Sequence, residues 1–65
     1  MNNTPGIDLK VERVRAGVTA TALAAQMGLS RQSVHALERA GRVTAEREAQ
    51  YRAALAALSD GTVAA

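Results

Sequence analysis

Arg31, Gln32, Ser33, His35 and Ala36 open a short segment that continues through Arg39, with Arg42 just beyond it. These residue types bond to nucleic acid in different ways. An arginine fork can grip a guanine edge with two parallel bonds or clamp a phosphate, and Arg31 is open to both. The Gln32 amide matches adenine or a phosphate equally. The short Ser33 hydroxyl suits a phosphate better than a base. Ala36 offers its methyl to a thymine or simply fills space, and His35 touches DNA or stands in solvent. Arg39 and Arg42 are placed for phosphate, or form part of a solvated face. Between Ser30 and Val43 the charges are Arg31, Arg39 and Arg42 against one acid, Glu38. Cations gathered on one element are the usual electrostatic footprint of a phosphate-binding face.

Little else in the chain is reactive. It has no cysteine, and its one histidine has no acid–base partner at a useful spacing. The six carboxylates show no paired-site pattern. No catalysis, metal or cofactor is expected. Aromatic content is 2%, Tyr51 alone, so a base-stacking platform for single strands is excluded. No apolar run approaches the roughly 20 residues of a membrane span. Met1–Gly6 carries no basic-then-apolar signal. A cytoplasmic protein with no small-molecule ligand is the expectation.

These side chains need helices to hold them. Thr19 is a good N-cap, and Ala20–Met27 is rich in alanine, the best helix former. Gly28 can take the left-handed conformation of a tight turn. Ser30 caps a second helix, Arg31–Ala40, closed by Gly41. Small Ala24 allows two helices to cross closely, while Val34 and Leu37 anchor the second against Leu23, Met27 and Leu29. Together these features have the form of a helix-turn-helix. Thr44 caps a last helix, about Ala45–Leu58, with apolar positions Tyr51, Leu55 and Leu58 and an alanine stripe at Ala45, Ala49, Ala53 and Ala56.

Residues 7–16 read two ways. Ile7, Leu9 and Val11 alternate as in a strand, whereas Ile7, Val11 and Val14 sit at helical spacing. Helix is favoured, because a lone strand has no partner within the chain. The division that follows is a flexible arm over residues 1–6, a domain over 7–58 and a frayed tail over 59–65. At 65 residues the domain is small and marginally stable, so a compact core or a second subunit must support it.

Thr19–Arg39, and above all GLSRQSVHALER from Gly28, resembles the XRE family of Cro-like and phage-repressor helix-turn-helix regulators. The likeness covers about Leu9 to Arg39. It implies an all-α, four- to five-helix domain of the lambda-repressor-like type, with its third helix in the major groove of double-stranded DNA. Base contacts then fall on Arg31, Gln32, His35 and Ala36, and phosphate contacts on Ser33, Arg39 and Arg42. Ala20 stands where the family commonly has a phosphate-binding glutamine, so Thr19 or Thr21 replaces that contact or it is missing. The resemblance also implies an ion pair between Arg13 and Glu38. The function implied is transcriptional regulation, as a repressor or repressor–activator. The alternative is an antitoxin or anti-activator that works by masking another protein.

Each good base contact is worth about 1–3 kcal/mol of discrimination. Two or three of them are too few for selective binding, which argues for a homodimer on a palindromic site. The first candidate interface is Tyr51, Leu55 and Leu58 of the last helix. The second is a valine stripe, Val11 and Val14, which faces away from the core if Leu9, Arg13 and Ala16 face it.

Overall fold

Three hydroxyls set three of the helix starts. The computed structural model describes the backbone of residues 4–63 and the side chains of residues 4–59. The elements are α1 (Gly6–Arg15), α2 (Ala20–Met27), α3 (Arg31–Arg39) and α4 (Ala45–Val63). Thr19 Oγ1 accepts from Ala22 N, Ser30 Oγ from Ser33 N, and Thr44 Oγ1 from Arg47 N. Each thereby satisfies an otherwise unpaired first-turn N–H. Residues 7–11 are helical. Among the described residues, the only β feature is an isolated antiparallel bridge between Thr4 and Val43.

The α2–α3 turn is closed by a glycine-dependent cap. Gly28 has φ 72°, its N–H bonds to Ala25 O, and Leu29 N bonds back to Ala24 O. That is a Schellman cap, in which a β-carbon at Gly28 would strain the backbone. Gly17 ends α1 in the same way, with Val18 N on Arg13 O.

The core is one cluster shared by all four helices. Leu9, Leu23, Val34 and Tyr51 are completely buried, joined by Ala20, Ala24, Val43, Ala54 and Leu55. Val18, Met27, Leu37, Ala40 and Leu58 pack around it. Ala24 is buried in this cluster, at 3% exposure.

Several expectations need correction. Tyr51 and Leu55 are core residues, 0% and 7% exposed, and Leu58 packs on the same cluster. The stripe read as a dimer surface is the side of α4 that closes its own domain; Leu58, half-buried, is the most open of the three. The alanines at 45, 49, 53 and 56 are exposed instead. The flexible arm does not extend to Thr4–Gly6. Val43 N donates to Thr4 O (2.9 Å), Thr4 Oγ1 donates to Glu48 Oε1 (2.7 Å), and Gly6 N donates to Ala40 O (2.9 Å). Residues 1–3 of that arm lie outside the described residues. α4 continues past Leu58 to Val63, because Ser59–Val63 contains no proline to stop it; 64–65 lie outside the described residues. α3 ends one residue early, closed not by Gly41 but by Ala40 in extended conformation (φ −67°, ψ 139°), which turns the chain toward the Thr4–Val43 bridge.

Gly6 starts α1 against the end of α3. A β-carbon there would lie 2.8 Å from the Glu38 carbonyl carbon and oxygen, and closer still to the Leu37 oxygen. Its N–H bonds Ala40 O, so the positive end of α1 meets the negative end of α3.

Candidate nucleic-acid interface

A buried polar network fixes α3 from behind. Arg13 of α1 grips Glu38 with two bonds, Nε to Oε2 at 2.6 Å and Nη2 to Oε1 at 3.1 Å. Arg13 Nη1 also donates to Val18 O (3.0 Å). Tyr51 of α4 donates its hydroxyl to Glu38 Oε2 at 2.5 Å and lies 3.2 Å from Leu9 O. Arg13 is 8% and Glu38 4% exposed. No buried side-chain polar atom among the described residues lacks a partner. The pair that the resemblance implied is therefore a triad, and Tyr51 is the member that sequence reasoning missed. No local pattern marks it, since Tyr51 meets Leu9 across 42 positions.

The triad perturbs its own titration. Burial alone would raise the Glu38 pKa; the hydrogen bonds from Arg13 and Tyr51, with the Arg13 charge, outweigh it and hold it below the usual value. The bond to Glu38 raises Arg13. Burial pushes the Tyr51 phenol up, and the bond to Glu38 and its charge add to the rise. Unfolded tyrosine releases its proton near pH ~10, whereas folded Tyr51 holds it longer. Its contribution to stability is complete below that value and lost as pH rises through the folded pKa, at about 1.4 kcal/mol per pH unit. Glu38 gives the opposite limb. Its stabilisation is present above the unfolded value of about 4.3 and is lost as pH falls through the lowered folded value. Urea titrations across alkaline pH should show the decline in the parent and lose most of it in Tyr51→Phe. Equal alkaline slopes in the two proteins would contradict the assignment.

With Val34 and Glu38 buried and Leu37 packed on the core, the other residues of α3 face out. Arg31, Gln32, Ser33, His35, Ala36 and Arg39 are all exposed, as are Arg42, Thr19 and Thr21. At 100° per residue, Gln32, Ala36 and Arg39 form the middle of the exposed face. Arg31 and His35 line one margin and Ser33 the other. His35 Nδ1 stands 3.9 Å from Glu38 Oε1, so its ring leans back toward the triad. Ser33 Oγ accepts from Ser30 Oγ at 3.0 Å, which keeps its own proton available to an outside acceptor. Ala20 is buried, 7% exposed, so the family's phosphate contact has no counterpart there; exposed Thr19 and Thr21 flank it.

The helix ends carry a second pattern. α1 and α4 have acids in their first turns, Asp8 and Glu46 with Glu48. α2 and α3 have none, so their positive dipole ends are uncompensated. An open groove of about 320 Å³ beside α3 is lined by Leu29, Ser33, Ala36, Leu37, Ala40 and Arg47. Arg47 was not singled out from sequence. It is half-buried and donates to Gln50 Oε1 at 2.9 Å. The available signal was a cation in the first turn of a helix, where the dipole disfavours it.

Elsewhere the charges hold the frame together. Arg52 binds Glu12 of α1 (Nη2 to Oε2, 2.7 Å) and also Glu48, whose other oxygen accepts from Thr4. Among the described residues no group of acids and histidines is arranged to hold a metal ion, and no helix is long and apolar enough to cross a membrane. No family model matches the chain, and neither a curated protein nor a solved structure matches it.

Proposed function

We infer that the chain is a sequence-specific regulator that binds double-stranded DNA through α3. The observation that carries this reading is the division of α3. One side is locked by Val34 and the Glu38 triad, while the other presents Arg31, Gln32, Ser33, His35, Ala36 and Arg39 together. A rigid helix with hydrogen-bonding side chains on one open face suits major-groove readout. The uncompensated N-termini of α2 and α3 add favourable sites for phosphates, next to Thr19, Thr21 and Ser33. In this reading Gln32, Arg31, His35 and Ala36 meet base edges, and Arg39 and Arg42 hold phosphates. The domain is of the XRE helix-turn-helix type, acts in the cytoplasm and performs no catalysis. Two copies on a palindrome place their recognition helices about 34–36 Å apart.

The test is duplex binding as a function of salt and sequence. Log K should fall linearly with log salt, with a slope of about −0.9 per phosphate contacted. Arg42→Ala should weaken all sequences alike and reduce that slope by about 1. Arg31→Ala should instead remove about 1–3 kcal/mol of discrimination at one position of each half-site. Absence of duplex binding at low salt would reject the reading and favour masking of another protein.

A further inference from the structure

α1 departs from an ordinary amphipathic helix. Leu9 and the charged Arg13 are buried, while Ile7, Val11 and Val14 are 55%, 43% and 59% exposed. These three are the large exposed apolar side chains among the described residues. They recur at i, i+4, i+7 and make one continuous ridge. Their flanks carry Asp8 and Arg15 on one margin and Lys10 on the other. None of these three charges takes part in a salt bridge of the described chain, whereas Glu12, the next acid along α1, is held by Arg52.

We propose that this ridge is where a second copy of the chain docks, its α1 antiparallel to the first. Opposite charges on the margins of one ridge favour a second copy as the occupant, and the opposed helix dipoles favour that direction. In an antiparallel pair related by a two-fold axis near Val11, each Val11 meets its own copy and Ile7 lies beside the partner's Val14. Equivalent margins then share one side of the interface. Asp8 therefore comes level with the partner's Arg15, within about one residue rise of 1.5 Å, and the same pair repeats by symmetry. The helix dipoles oppose, which is favourable. The one repulsive element is Lys10, which approaches the partner's Lys10. A parallel pair would instead set Asp8 against the partner's Lys10 and leave Arg15 without an acid.

Three side chains fall short of the roughly 800 Å² per partner of a standard interface. Association in free solution is accordingly weak, and holding both copies on one duplex makes the contact effectively intramolecular. The proposal rests on the DNA-binding reading for its purpose, but self-association can be measured without DNA, so the two fail separately.

The experiment is sedimentation equilibrium of the full chain over a concentration series, without DNA. The parent should show a monomer–dimer equilibrium with a dissociation constant on the order of 0.1–1 mM. Val14→Glu puts a charge on the ridge and should abolish the dimer in that range, with the helical circular dichroism of the parent. Lys10→Gln removes the like-charge approach and should tighten the dimer by about two- to fivefold. A parent that stays monomeric throughout, or a Val14→Glu chain that dimerises like the parent, overturns the proposal. Weaker association in Lys10→Gln overturns the antiparallel arrangement, since it would mean that Lys10 had an acidic partner. Intact self-association with no duplex binding would instead count against the DNA reading alone.

Discussion

Glu38→Ala should cost about 3–5 kcal/mol of folding stability, because it leaves the Arg13 guanidinium buried without its counter-charge. Tyr51 also loses its acceptor, so two buried groups go unsatisfied at once. Native domains hold roughly 0.05–0.15 kcal/mol per residue, so for a chain this small the loss approaches the whole stability. The three positions act as one unit, and the single losses should not add. Replacing all of them with apolar side chains, Arg13→Met, Glu38→Leu and Tyr51→Phe together, should cost much less than Glu38→Ala alone. Urea midpoints at constant m value measure both. A Glu38→Ala protein within about 0.5 kcal/mol of the parent would show that the triad contributes little.

Gly6→Ala should be the other severe change, through a different mechanism. Its β-carbon would collide with the backbone carbonyls of Leu37 and Glu38, which cannot rotate aside as a side chain can. Overpacking of this kind typically costs 1–3 kcal/mol or more, and a clash with main chain belongs at about the upper end or beyond. Gly41 is the natural control. It has open space around it and no positive φ, so Gly41→Ala should be neutral or stabilise by about 0.4–1 kcal/mol. Thermal or urea unfolding of the pair separates close approach from generic loss of glycine. Similar midpoints for the two variants would show that α1 can lift from α3 at little cost.

Local features were readable from the sequence, and distant ones were not. Thr19, Ser30 and Thr44 cap the helices they precede, and Gly28 makes the turn, because caps and turns depend on neighbours within a few positions. α1 was ambiguous for a physical reason. Leu9 is buried beside Arg13 while Ile7, Val11 and Val14 stay exposed, so apolar side chains lie on both sides of the helix and Ile7, Leu9 and Val11 alternate as in a strand. The α4 stripe was found but assigned to the wrong neighbour. Apolar spacing shows that a face is buried, not whether its own domain or a second chain buries it. Gly6 and Thr4 gave little signal, since each is explained by a segment far along the chain. On the proposed reading face, Arg31, Gln32, Ser33, His35, Ala36 and Arg39 all stand in the open.

The reach of the triad along the chain has a consequence for synthesis. α2 and α3 are complete by Arg39, but the hydroxyl that completes the Glu38 site belongs to Tyr51. Leu9, Leu23 and Val34 likewise wait for α4 to shut out water. Chains grow at about 5–20 residues per second and domains fold as units. The two central helices are thus made early and have only α1 and each other to pack against until α4 leaves the ribosome. A chain that stops before residue 51 carries every proposed DNA-contacting side chain but lacks the Tyr51 bond to Glu38 and the helix that closes the core over them.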